Sequence, residues 1–155
     1  IGVRLVGSEM CIRDRPKLTP VAGFEGRYLT QTLAKQDQPA ITYPVIPAVV
    51  YGKTQLAQLG VTPATATQQP ETYAVSDLDL TSWYSYRRIQ DADARIKVVT
   101  ERSTQRIVGA TMLSSEAEQV INYLDFVIQN QLTPTDIEQA ILAYPTLASD
   151  LTYFG

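Results

Sequence analysis

The chain has 155 residues, 45% of them apolar and 19% charged, with a formal net charge of −3, no histidine and a single cysteine. That balance suits one soluble globular domain, large enough to bury roughly two-thirds of its unfolded surface. Nucleic-acid binding would ask for clustered Lys and Arg, a bilayer span for about 20 consecutive apolar residues, and zinc or Ser-His-Asp chemistry for ligands and imidazoles this chain lacks.

In chain order, the first segment stands apart. LVGSEMCIRDR, Leu5 to Arg15, back-translates into a transposon-end adapter used in preparing DNA sequencing libraries. Residues 1–15 are therefore expected to be read-through and not native protein, and are set aside for fold reasoning. They hold three arginines, two acids and Cys11; without them 10 basic side chains face 14 acidic ones, a balance of −4. An adapter joined in frame also implies that 16–155 is the C-terminal piece of a longer protein.

From Thr19 and Pro20 the pattern is helical, with Val21, Phe24, Tyr28, Leu29 and Leu33 at helical spacing. Thr19 suits the N-cap and Pro20 the first turn. KQDQPA, 35–40, reads as a polar linker that ends the helix. IPAVVYG is a short β-branched run bounded by Pro47 and Gly52, hence a strand. TQLAQLG reads as one or two helical turns stopped by Gly60, and TPATATQQP as a loop. ETYAVSDLDL alternates as a strand with Tyr73 and Val75 on one face. TSWYSYRRIQDADA is ambiguous; its Trp83, Tyr84 and Tyr86 either pack inside or sit at an interface.

The clearest organisation follows. Ile96 to Thr100 and Arg106 to Leu113 are apolar strands joined by a short polar turn, an antiparallel hairpin. Ala117, Val120, Ile121, Leu124 and Ile128 then form one helical stripe, capped by Ser114 or Ser115. A second helix starts with Thr133 as cap and Pro134 in first position, carries Asp136 and Glu138 at its positive end, and is expected to run to Pro145. Strands followed by helices predict an α+β fold: an antiparallel β-sheet with helices on one face. Asp77, Asp79, Asp91 and Asp93 read as solvated loop acids. No G-x-G-x-x-G phosphate loop occurs, so a free-standing cofactor enzyme is disfavoured.

Four stretches, spanning nearly all of Pro16 to Leu151, carry a resemblance. LTPVA (Leu18 to Ala22), IPAVVYGKTQLAQLGVT (Ile46 to Thr62), IKVVTERSTQRIVGATMLSSEAEQVIN and LTPTDIEQAILAYPTLASDL follow in order and spacing the C-terminal part of the pyridine nucleotide-disulfide oxidoreductases, flavoproteins that include glutathione reductase, dihydrolipoamide dehydrogenase and mercuric reductase. The resemblance implies 16–39 as the end of an FAD domain and 40–155 as the dimerisation domain. It also implies FAD and NAD(P)H as cofactors of the longer protein, a cytoplasmic homodimer, a small-molecule electron acceptor, and no nucleic-acid or membrane partner. Leu18 and Thr19 would approach the flavin, Thr19 through its backbone N–H. The piece alone is expected to bind neither cofactor stably and to be inactive, and a C-x4-C redox pair is expected upstream.

The last stretch raises the functional question. The family's tail places a histidine before Pro-Thr, with a glutamate a few residues on holding the imidazole. Here Tyr144 stands in the histidine's place, Ser149 at the glutamate's, and Asp150 follows; the glutamate of the helix motif is Gln119. Tyr144, Ser149 and Asp150 are thus the candidate catalytic residues. A tyrosine, with an unperturbed pKa near 10, rarely acts as a base at neutral pH but can donate a hydrogen bond or bind a metal ion. That points to a reductase of something other than glutathione or lipoamide. In the alternative reading the domain only mediates association and Tyr144–Pro145 merely ends a helix. A functional Tyr144 must be exposed beside the dimer surface; a structural one belongs in its own core.

Overall fold

The computed structural model describes residues 16–34 and 39–155; the adapter-like stretch and most of the polar linker lie outside the described residues. Two compact units result, Ile1–Tyr43 and Pro44–Gly155. In the first, α1 (Thr19–Ala34) forms where the spacing predicts, with Val21 buried. The Phe24 ring lies 5.8 Å from that of Tyr43, whose hydroxyl donates to Glu25 Oε1 at 2.6 Å. Leu29 and Leu33, on the same helix, are exposed.

The second unit is built on five strands: β1 (Ala48–Val50), β2 (Gln55–Gly60), β3 (Tyr73–Asp79), β4 (Arg95–Glu101) and β5 (Ile107–Ser114). Every pairing is antiparallel, in the order β1-β2-β5-β4-β3. Its short helices are α2 (Pro63–Gln68), α3 (Tyr84–Arg88), α5 (Pro134–Glu138) and α6 (Leu147–Asp150); the long one is α4 (Ala117–Gln129). The expected α+β architecture is present, with the expected hairpin forming β4 and β5.

Alternation decides which face is covered. Ala57, Leu59, Ile96, Val98, Ala110 and Met112 point to one side and are fully buried. Against them lies α4, whose stripe Ala117, Val120, Ile121 and Leu124 is equally buried, as its 3.6-residue spacing predicts. The N-cap of this helix is Glu116, without a side-chain cap bond, and not Ser114 or Ser115; Ser114 Oγ accepts the Glu116 N–H at 3.0 Å just before it. Gln55 Oε1 accepts the Glu118 N–H at 3.0 Å and so ties α4 to β2.

Two short stretches differ from expectation. QLAQLG is not helical: Ala57 and Leu59 point inward while Leu56 and Gln58 point out, a period of two that six residues could not separate from a helical turn. TPATATQ is not a loop: the Thr62 hydroxyl accepts the Thr65 N–H at 3.0 Å and Pro63 takes the first helical position, the same cap that opens α5. Between them the chain crosses the sheet edge. Gly60 has φ +65°, and Val61 donates to the Val108 carbonyl at 3.0 Å, laying its backbone directly over Gly109. α2 then packs along β3 and β4, burying Ala66.

The acids are not a uniform solvated run. Asp77 and Asp79 are exposed on the outer face, 3.0 Å from Lys97 and 3.5 Å from Arg95 on the neighbouring strand. Asp91 is buried. Its Oδ2 accepts from Ser114 Oγ (2.7 Å), Ser115 N–H (2.7 Å) and Ser115 Oγ (3.0 Å), joining the loop after α3 to the start of α4. Burial works against its charge, but these donors outweigh it and hold the carboxyl below the usual range.

Two consequences are measurable by urea denaturation. A methyl group at Gly109 would fall on the Val61 backbone, which cannot yield as a side chain could. Gly109→Ala is expected to destabilise the domain by about 1–3 kcal/mol, whereas Gly26→Ala, inside α1 with open space around it, should favour its helix by about 0.5–1 kcal/mol. Asp91→Ala strands four donors, the Asp93 N–H on Oδ1 (3.3 Å) included, and should cost about 1–3 kcal/mol at neutral pH. Because the folded-state pKa of Asp91 is the lower one, its contribution is present above the unfolded-state value and disappears as pH falls through the folded one. The gap between wild type and Asp91→Ala should therefore narrow on acidification; a constant gap would show that charge plays no part.

Candidate functional site

The C-terminal tail is anchored at both ends and free between them. Thr133 and Asp136 form a reciprocal cap, and Ile137 on α5 enters the core. The helix stops at Glu138, well short of Pro145. From Glu138 to Ala148 no side chain is buried, so the turns expected there have no packing to sustain them. The chain re-enters the core at Ser149, Asp150 and Leu151, continues in a 3₁₀ turn (Leu151–Tyr153) and ends with Phe154 fully buried.

Tyr144 stands on the free stretch with 76% of its surface exposed, followed by a cis peptide bond to Pro145. Beyond it, Thr146 caps α6: its Oγ1 accepts the Ser149 N–H at 3.1 Å and donates to the Ala143 carbonyl at 2.7 Å. Ser149 Oγ accepts the Thr146 N–H at 3.0 Å and donates to the Thr146 carbonyl at 2.6 Å. Its hydroxyl is thus engaged in shaping the tail. The exposed Gln119 donates to Glu116 Oε2 at 2.7 Å.

Asp150 is only 7% exposed, and its Oδ2 has no hydrogen-bond partner. Burial raises its carboxyl above the usual range, with the Ser85 hydroxyl pulling the other way. Nearby, the buried Tyr86 hydroxyl is likewise unpartnered, and burial, reinforced by the charge of Asp150, pushes its ionisation far up. Tyr144 and Asp150 meet along a cavity of about 320 Å³ whose other walls include Trp83, Tyr84 and Tyr153. On the other side of Pro145 a cavity of about 280 Å³ adjoins Gln119 and Tyr123 of α4.

The structure therefore brings Tyr144 and Asp150 to one place and separates Ser149 from both by its capping role. Leu18, half-buried, and Thr19, exposed at the first residue of α1, lie in the first unit. A helix's first N–H groups have no acceptor within the helix, which leaves this end able to donate. The aromatic trio divides: Tyr86 is core, Trp83 is half-buried and Tyr84 half-exposed. Ser85 and Tyr153 were not singled out by sequence; only the aromatic density around Trp83 hinted at a wall. Among the described residues there is no group of three or more Cys, His, Asp or Glu placed to hold a metal ion, and no helix long and apolar enough to cross a membrane.

Comparison with known proteins gives this geometry a setting. Residues 46–153 match the family model of the pyridine nucleotide-disulphide oxidoreductase dimerisation domain. The chain is 32% identical over 140 residues to an uncharacterised 19.7 kDa protein in a mercuric resistance operon of Staphylococcus aureus, covering 90% of this chain and 78% of that one. It is 28% identical to dihydrolipoyl dehydrogenase of Bacillus subtilis, covering 88% of this chain but only 29% of the enzyme. Among solved structures, the Cu(II) complex of the HOCl-induced flavoprotein disulfide reductase RclA from Escherichia coli superposes with a TM-score of 0.81 at 19% identity, over 91% of this chain and 32% of that one. With its antiparallel sheet, long covering helix and terminal tail, this chain belongs to the dimerisation-domain family of the pyridine nucleotide-disulphide oxidoreductases.

Proposed function

We propose that this domain joins the subunits of a cytoplasmic, FAD-dependent NAD(P)H oxidoreductase and delivers its C-terminal tail to the flavin site of the partner subunit. The observation that carries the reading is the 76% exposure of Tyr144 on a stretch whose two ends are buried. A tyrosine serving only to end a helix would have no need of that display, and no helix ends there. In this reading 16–39 closes the FAD domain, with Leu18 and the Thr19 N–H toward the flavin, and 40–155 makes the interface. The exposed Leu29 and Leu33 of α1 suit a helix that packs against such a domain.

The flavin, when bound, would supply the electrons; the tail would supply hydrogen bonds and a proton. Tyr144 would offer its phenol O–H as a hydrogen-bond donor. Asp150, whose carboxyl is held up by burial on the same cavity, is the group best suited to give up or regain a proton beside it. Ser149 sets the angle of the tail through its bonds to Thr146. With no imidazole, the arrangement favours a small oxidant over a dithiol whose sulfur must be deprotonated. The tail lies beside α4, where Phe126 is 65% exposed, which makes this helix the natural surface for association.

Two measurements bear on this reading. In the complete oxidoreductase, Tyr144→Phe should leave flavin reduction by NAD(P)H unchanged and slow flavin reoxidation by the acceptor by about a hundredfold or more, the lower end of what a positioned proton donor contributes. Unaltered rates in both halves of the cycle would reduce Tyr144 to packing. By sedimentation, the wild-type chain should be dimeric and Phe126→Glu largely monomeric; a monomeric wild type would refute association through this domain.

A further inference from the structure

Most buried polar atoms of the sheet domain have partners, which makes Asp150 conspicuous. It is only 7% exposed, one oxygen has no donor and is itself withdrawn from solvent, and the residue lines a cavity that opens to solvent. The rest of that cavity is aromatic. Trp83 and Tyr153 stand edge to face, ring centroids 5.7 Å apart and planes at 89°, so they form two walls at a right angle. Tyr84 and Tyr144 close the other sides, and no lysine or arginine lines the space.

This combination selects for charge of one sign. A buried carboxylate oxygen without a donor, even where its twin is bonded as here by Ser85, is disfavoured unless a cation or hydrogen-bond donor reaches it. Aromatic faces carry negative quadrupole density and attract cations within about 6 Å of the ring centre. An anion would be repelled by both, and a neutral apolar guest would leave the Asp150 oxygen as orphaned as before. The volume, about 320 Å³, is at the lower end for small-molecule sites, which limits the guest to a few heavy atoms.

We propose that the cavity bounded by Trp83, Tyr84, Tyr144, Tyr153 and Asp150 is a binding site for a small organic ammonium ion, its N–H donating to Asp150 Oδ2 and its alkyl chain packed in the right angle between Trp83 and Tyr153. The raised carboxyl of Asp150 accords with a charge awaiting its partner, and an occupied site would bring it back down. The site lies within one chain and requires neither flavin nor a second subunit. It shares Tyr144 and Asp150 with the redox role above, but ammonium binding and flavin reoxidation are measured independently, so the failure of one is distinguishable from the failure of the other.

Trp83 is the chain's sole tryptophan, so its fluorescence reports this cavity directly. The 155-residue chain would be titrated at neutral pH with n-butylammonium and, as a neutral match in shape, 1-butanol. Saturable change with butylammonium is expected at concentrations at least about tenfold below those needed for butanol, a charge-assisted hydrogen bond being worth that much or more. Asp150→Asn, which keeps the shape and removes the charge, should erase the preference. Tyr153→Leu, which keeps the charge and removes a wall, should weaken butylammonium binding about threefold or more, and it serves on its own if Asp150→Asn does not fold. Equal response to the two probes, no saturable response, a preference that survives Asp150→Asn, or unaltered binding in Tyr153→Leu would each overturn the proposal.

Discussion

Val120, Ile121 and Leu124 of α4 share one core with Ala57 and Leu59 of β2 and with Ala110 and Met112 of β5, all of them withdrawn from water. At about 25 cal/mol per Å² of apolar surface, a contact of this kind is the main term that can oppose the chain entropy of ordering the domain. The other features follow from where it puts things. Strands β2 and β5 must be neighbours for α4 to lie across them, and the Gly60–Val61 crossing beside Gly109 lets the chain leave that pair without disturbing it. The Asp91 carboxylate ties the start of α4 to the loop that precedes β4, so the helix is fixed in direction as well as in depth.

What the sequence made legible is what repeats with a period. The hairpin shows itself by two apolar runs and a polar turn, and the α4 stripe by positions recurring over three turns; both survive in the structure with ends displaced by about one residue. QLAQLG failed because two inward residues in six support either period. Its identity as a strand is fixed by β1 and β5, not by its own composition. The Thr62-Pro63 cap was legible by the rule applied to Thr133-Pro134 and was obscured by the Thr and Gln around it. Asp91 could not be told from Asp93 by pattern, since the difference lies in Ser114 and Ser115, more than twenty residues downstream.

The candidate site was legible in part. Position in a resembling motif marked Tyr144, Ser149 and Asp150, but only coordinates distinguish their fates: one displayed, one locked in a cap, one buried with an unpartnered oxygen. The walls around them come from residues about seventy positions apart, Trp83 and Tyr153, whose meeting no local pattern encodes. Aromatic side chains near Trp83 suggested packing or an interface. The structure divides these roles among neighbours in one turn of helix, with Tyr86 inward and Tyr84 toward solvent.

The tail also shows how a terminal segment can belong to its own core and still face outward. Leu151 and Phe154 are buried beside Trp83, and Ile137 is buried on the other side of the loop, so both ends of the stretch bearing Tyr144 are held. A side chain meant to act on something outside its own domain gains from such anchoring, because a freely moving tail would have to lose that freedom at each encounter. The reciprocal cap between Thr146 and Ser149 continues the constraint to within two residues of Tyr144.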